Sequence, residues 1–538
     1  MERLNPAAPE AVDLLISGGS LVDGSGVPGR AGTVASLDGR LFVADATWQP
    51  AAARRIDAAG MVVAPGFIDL HSHGGLVILA DPRHEPKVRQ GVTTEVIGVD
   101  GNGYAPFRDH DDLAAFVELN AGLDGRPEIA YDWDTVASYI GRYDHGQAVN
   151  VAVLIGNSAL RIGAIGWDDT PADERGLASM RAMLREAMEE GAFGFSSGLD
   201  YPPGSFASTD ELAGMTREAA ERGGFYHTHV RYGLGDRFLD PFREAIEIGR
   251  RGEGPVHLTH FYHRQTHPGG PEQLLGLVDD ARAGGMDVTF DTYPYEWAST
   301  RLLIQLPQWV QAGGPGPLKD RLADAATRDR IRGELAVRGA AYTSPAGWAD
   351  VRLGAFTRPD HLRWESRTVA DVMHETGRDA VDAICDLLLA EDLRVAQVTT
   401  GPWSETLPWF VRHPVGMVGT DSTFLGEKPS PRTYGSFPRI LGQFVRDEQL
   451  LSLGEAVRKM TSAPAARLGL TDRGLLRDGY AADLVVFDPA RVRSNATYEH
   501  PRQYPDGIEY VAVNGELVVD GGVHTGALPG RALRSGRR

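Results

Sequence analysis

Two histidines close the apolar run VVAPGFIDLHSH. His71 and His73 stand one residue apart. In a strand, residues i and i+2 point to the same side, so both imidazoles can aim nitrogens at one ion. The pair alone is a weak signal, because histidines also serve as satisfied core residues. Other apolar runs strengthen it. GVTTEVIGVD, VNVAVLIGNS, AFGFSSGL, GFYHTHVR, PVHLTHFY, DVTFDTYPY and VGMVGTDS end in or just after Asp100, Asn157, Ser197, His229, His260, Tyr293 and Asp421. Any one of these could cap the helix that follows it. Four histidines and two aspartates at strand ends together point to a metal site, and imidazole with carboxylate suits zinc or a similar divalent ion.

The runs alternate with amphipathic segments such as ELAGMTREAAERGG and PFREAIEIGRRG. Continuous apolar strands separated by helices form parallel sheets, and eight of them predict a metal-dependent (β/α)8 TIM barrel, whose chemistry gathers at the C-terminal strand ends. LRVAQVTT, at 393–400, is a further strand candidate without a place in that count. The stretch of about 301–370, rich in Arg, Gly and Trp, reads as an insertion and a candidate lid. The two ends of the chain share short strands and Gly/Asp turns, as in DLLISGGSLVDGSG and IEYVAVNGELVVDGG. They predict one small β-sandwich built from both termini. The expected division is 1–64 and 473–538 for the sandwich and 65–472 for the barrel.

A formal charge of −19 opposes a nucleic-acid or anionic-membrane partner. The single cysteine, Cys385, cannot form an intramolecular disulfide and sits in the helix-like AVDAICDLLLAED, where a buried thiol is expected. The first residues lack the pattern of a signal peptide, and no apolar stretch reaches membrane-spanning length. A cytoplasmic enzyme with a small-molecule substrate is the expectation.

The stretches PGFIDLHSH, QGVTTEVIG, SSGLDYPPGSFAST, THVR, DTYPY, VGTDS, PRTYGSFPRILG and GYAADLVVFDP occur in this order. On them the sequence resembles the amidohydrolase superfamily, and within it the N-acyl-D-amino-acid deacylases (D-aminoacylases). The resemblance implies a barrel holding one or two zinc ions, or another divalent metal. It implies His71 and His73 on the more exposed metal with Asp421, and His229 and His260 on the other. Where that branch carries a cysteine, in a motif like GNCG, this chain has GVDG with Asp100, a harder ligand able to bridge two ions. None of the four lysines, Lys87, Lys319, Lys428 and Lys459, falls at a predicted strand end. This argues against the carboxylated lysine of hydantoinase-type relatives.

The resemblance further implies that Asp421 takes a proton from water and delivers it to the departing amine. It places Arg432, Tyr293 and Ser299 around the substrate's α-carboxylate and Tyr201 near the scissile carbonyl. Two departures stand out. Phe261 and Tyr262 follow His260 where the branch often has HK, and Asn157 replaces the histidine of GHS. His227 shares the face of His229 and is expected in a lower barrel layer, while His257 and His263 receive no role. The leading reading is a metal-dependent hydrolase of N-acyl-D-amino acids. A dipeptidase or amidase for a D-residue or specialised amide is the alternative. A non-catalytic ligand-binding barrel is a third reading, which the rim histidines, Asp421 and Arg432 oppose.

Overall fold

The computed structural model describes residues 9–338 and 345–536. Residues 1–8 of the expected sandwich and 339–344 of the expected insertion lie outside them. Eight parallel strands form the barrel: β1 (Phe67–Asp69), β2 (Val92–Ile97), β3 (Asn150–Val153), β4 (Phe195–Gly198), β5 (Tyr226–His229), β6 (Val256–Leu258), β7 (Val288–Thr292) and β8 (Gly416–Val418). β3 pairs with β2, and its continuation Ile155–Gly156 pairs with β4, so the strand hands the ladder on at Leu154. β-Branched and aromatic residues fill these strands because both faces are covered.

The helices carry the expected cap chemistry. Ser208 accepts from the Glu211 amide at 3.2 Å and starts the helix Thr209–Ala220. Pro241 occupies the first turn of Asp240–Gly252, where its missing N–H costs nothing.

Side chains tie the seam between β8 and β1. Ser72 and Ser422 form a parallel bridge. The Asp421 amide donates to the His71 carbonyl at 2.8 Å, and Asp69 accepts from the Thr420 amide and hydroxyl at 2.9 and 2.6 Å. Lys87, in the short helix Glu85–Val88, is fully buried against Asp69 and donates to Thr420 at 2.8 Å. A buried cation survives only with such partners.

Two antiparallel-rich sheets flank the barrel's N-terminal region. One has four strands, all from residues 11–57. The other has seven and mixes Ser20–Leu21 and Val62–Pro65 with Leu484–Phe487, Ile508–Val513 and Glu516–Asp520. Leu14, Ile16, Val34, Val63, Leu484 and Val486 pack between them, so both chain ends complete one hydrophobic core.

Between β7 and β8, Trp297–Arg301, Arg352–Gly354 and Ala396–Thr400 form an antiparallel sheet with the last strand in the centre. LRVAQVTT thus has its place outside the barrel. The excursion is longer than 301–370: its first strand begins at Trp297 and its central strand ends at Thr400. The region has a core of its own, in which Leu318, Leu322, Ile331, Ile384, Leu388 and the buried Cys385 meet.

Candidate metal centre

The ends of β1, β2, β5, β6 and β8 bring His71, His73, Asp100, His229, His260 and Asp421 together, all buried. Asp100 is the hub. Its Oδ2 lies 3.3 Å from His71 Nε2, 3.6 Å from His73 Nε2, 3.7 Å from His229 Nδ1 and 3.8 Å from His260 Nε2. Asp421 Oδ1 stands 3.5 and 3.4 Å from the same nitrogens of His71 and His73. Ligand atoms around a tetrahedral zinc with ordinary bond lengths are roughly 3.4 Å apart, so this donor set fits such an ion in spacing and in chemistry. The donors fall into two groups that share Asp100: one with His71, His73 and Asp421, the other with His229 and His260.

Outer carboxylates orient the rings. His73 Nδ1 donates to Asp124 Oδ1 at 3.0 Å, and Asp124 also accepts from the Tyr104 hydroxyl at 2.6 Å. His229 Nε2 donates to Asp200 Oδ2 at 3.2 Å. Asp291 holds the His260 amide at 2.9 Å and His257 Nε2 at 3.0 Å. Asp124 and Asp200 thereby fix the tautomer and aim of two rim imidazoles, whereas Asp291 holds the backbone of His260. Sequence reasoning missed all three aspartates. Asp291 lies two residues before Tyr293 on the same strand face, so strand periodicity could have found it. Asp200 adjoins Tyr201, within the quoted GLDYPPG. Asp124 lies in an aperiodic loop and carries no sequence signal.

The backbone is strained where the site is built. Asp100, His260 and Asp421 have φ of +52°, +34° and +47°, a region costing non-glycine residues about 1–3 kcal/mol each. Aspartate and histidine are among the non-glycine residues that adopt it most readily. A neighbouring glycine makes the hub possible: a Cβ on Gly198 would meet the Asp100 carbonyl oxygen at 1.9 Å.

Charge is balanced within the centre. Burial disfavours the imidazolium of His71, but Asp100, Asp421 and Asp291 outweigh it and push the pKa up to about 10. Burial likewise opposes His229, and the neighbouring carboxylates of Asp100 and Asp200 lift it to about 9. Burial would raise the Asp421 carboxyl, yet Arg432 and His71 hold it below the ordinary range. Below the rim, His227 stacks on His257 with ring centroids 5.3 Å apart. Burial, reinforced by His257, drives His227 well below its ordinary pKa, and its nitrogens have no hydrogen-bond partner among the described residues. His227 is thus a neutral ring in the barrel interior. His263 donates to the Gly269 carbonyl at 2.8 Å, away from the ligand set.

The remaining residues form a wall beside the metal donors. Arg432 Nη1 lies 2.7 Å from Asp421 Oδ2, and its Nη2 donates to the Ser299 carbonyl at 3.1 Å. Its guanidinium sits 4.3 Å from the Tyr293 ring centroid, and its buried Nε has no partner among the described residues. The Ser299 hydroxyl accepts from Thr423 at 2.8 Å. Tyr201 packs on His229 with centroids 4.9 Å apart, and its hydroxyl lies 2.9 Å from Thr300 Oγ1. Asn157 donates to the Gly204 carbonyl at 2.8 Å, bracing that loop rather than joining the donors. β4 ends in Ser197 and Gly198, with no lysine there.

The fold and this rim define a metal-dependent hydrolase of barrel architecture, and comparison with known proteins gives its family. Residues 54–519 match the amidohydrolase family, and the chain belongs to it. It is 33% identical over 533 residues to a D-aminoacylase of Alcaligenes xylosoxydans xylosoxydans, covering 97% of each chain. It is 34% identical to an N-acyl-D-aspartate deacylase of the same organism, covering 98% of this chain and 96% of that one. Among solved structures, the N-acyl-D-glutamate deacylase of Bordetella bronchiseptica, complexed with zinc and a phosphonate inhibitor, superposes with a TM-score of 0.80 at 30% identity. That match covers 98% of this chain and 100% of the other.

Proposed function

We propose that the protein is a zinc-dependent deacylase that hydrolyses N-acyl-D-amino acids to a carboxylic acid and a D-amino acid. One observation carries the reading: four imidazoles converge on Asp100 Oδ2, with the Asp421 carboxylate in the same cluster and Arg432 paired to it at 2.7 Å. His71, His73 and Asp421 would hold one zinc ion and His229 with His260 the other, Asp100 serving both. Bound there, zinc supplies an activated water and polarises the amide carbonyl.

The chain's own residues do the rest. Asp421 is held as a carboxylate by Arg432, so at neutral pH it accepts the proton that water gives up. The same carboxyl then returns that proton to the leaving amine. Burial keeps Tyr201 protonated far above its ordinary pKa, so its hydroxyl can donate to charge that develops on the carbonyl oxygen. The unpartnered Nε of Arg432 offers a buried donor to the α-carboxylate, with Tyr293 and Ser299 on the same wall. A small-molecule substrate, no nucleic-acid or membrane partner and a cytoplasmic location belong to the same reading, supported by the acidic charge and the lone buried cysteine. No helix among the described residues is long and apolar enough to cross a membrane.

Amine release from matched N-acetyl-D- and N-acetyl-L-amino acids, with zinc supplied, tests the reading. Hydrolysis of the D series alone is expected. Hydrolysis of the L series alone, or of neither by folded, zinc-loaded protein, would overturn it.

A further inference from the structure

We propose that Arg264 is a specificity-determining residue that receives a second anionic group of the substrate, in addition to the α-carboxylate. The proposal rests on the deacylase reading above. Arg264 lies in the loop after β6, beyond His260. Its side chain is half-buried. The guanidinium carbon stands 5.2 Å from the centroid of Tyr262 and 5.9 Å from that of Tyr232. Nη2 donates to the Tyr262 hydroxyl at 2.7 Å, and Nη1 reaches the carbonyl of Thr400 at 3.3 Å. Thr400 ends the central strand of the insertion.

Both tyrosines belong to the centre. The Tyr232 hydroxyl is 3.3 Å from His260 Nδ1. Tyr262 stands edge-on to Tyr293 with centroids 5.7 Å apart. Tyr293 in turn carries Arg432 over its ring. Two guanidinium groups therefore flank one pair of tyrosines.

Their partners differ. Arg432 is paired with Asp421. Arg264 has only a hydroxyl and a carbonyl for acceptors, and among the described residues no carboxylate lies within the 4.0 Å of an ion pair. Asp200, whose charge reaches Arg264, already accepts from His229 Nε2. A cation with no carboxylate in ion-pair range among the described residues, framed by aromatic rings next to the metal donors, suits an anion. Its fixed fork suits a carboxylate. A substrate with two carboxylates spans the two arginines, one on Arg432 and one on Arg264. The second carboxylate can come from the amino-acid side chain or from the acyl group.

The test compares kcat/KM for N-acetyl-D-glutamate against N-acetyl-D-glutamine, and for N-succinyl-D-leucine against N-acetyl-D-leucine, in the zinc-loaded wild type, Arg264→Met and Arg264→Lys. A charge-assisted contact predicts a preference of about 10- to 100-fold for one of the dicarboxylates, and the pair that shows it identifies the source. Arg264→Met should cut that preference about tenfold, and Arg264→Lys should retain part of it. A preference ratio that does not move, or an equal loss on charged and neutral substrates, would overturn the proposal. If none of the four compounds is hydrolysed, the functional reading fails on its own. Calorimetric binding of N-acetyl-D-glutamate and N-acetyl-D-glutamine to the wild type and Arg264→Met then decides on Arg264. Selective loss of affinity for the glutamate compound supports the proposal, and equal loss or none refutes it.

Discussion

The metal rim and the substrate wall meet at Asp421 but are built on different plans. Rim donors stand at or just beyond the ends of parallel strands, and His73, His229 and His260 are each braced by a further carboxylate or by a backbone contact to one. Wall residues come from the insertion, from loops and from the start of the helix Arg432–Arg439. Their partners are mostly backbone carbonyls and hydroxyls. The rim is therefore rigid in position and chemically demanding, whereas the wall can vary in sequence while keeping its outline. Chemistry shared across a family lives in such a rim, and substrate choice in such a wall.

Asp421→Asn breaks the junction between the two and should have the largest effect. It removes the proton acceptor and the charge partner of Arg432 together. A loss of roughly 10²–10⁴-fold in kcat is expected for a general acid–base group, with the thermal melting transition retained. Unchanged turnover would remove Asp421 from proton transfer.

The rim alone is probed through pH. His71 and His229, with pKa values pushed up to about 10 and about 9, carry protons at neutral pH in the metal-free protein. Zinc needs those lone pairs, so its apparent affinity should rise with pH, about tenfold per unit for each proton displaced. Competition titrations at several pH values between 6 and 9 measure this, and a flat profile would contradict the charge balance described. The same raised values stabilise the metal-free fold fully below the ordinary histidine pKa of 6.5. That contribution fades as pH rises through about 9 to about 10.

The smallest effect belongs to the wall's support. Arg502, from the C-terminal segment, donates to the carbonyls of Phe424, Gly426 and Glu427 and to the Tyr434 hydroxyl. It thereby fixes the loop between Asp421 and Arg432 from outside. Arg502→Ala should raise KM about threefold to tenfold, the scale of one or two lost hydrogen bonds, while zinc content stays constant. A change in zinc content would mean that the loop supports the rim as well.

The same contrast explains what could be read in the sequence. Strand periodicity and the strand-end rule pointed to the eight barrel strands and to His71, His73, His229, His260 and Asp421, because each closes an apolar run. Asp100 was legible in two ways, as the end of GVTTEVIGVD and as a departure from the related motif. Trp297–Arg301 escaped notice because WASTR is mostly half-buried and holds no apolar run. Arg264, Asp124 and Arg502 lie in loops, where no period links sequence to direction. The positive φ at three site residues is a tertiary feature with no local signature beyond the glycines nearby.

The central claim is that Asp100 takes the place of a thiolate at the heart of a zinc site. Anomalous diffraction at the zinc edge, on crystals grown with zinc, tests it most directly. A peak is expected about 2.0–2.2 Å from an Asp100 carboxylate oxygen and from two histidine nitrogens of the rim. Zinc bound by the histidines with Asp100 turned away, or no zinc at the rim, would contradict it.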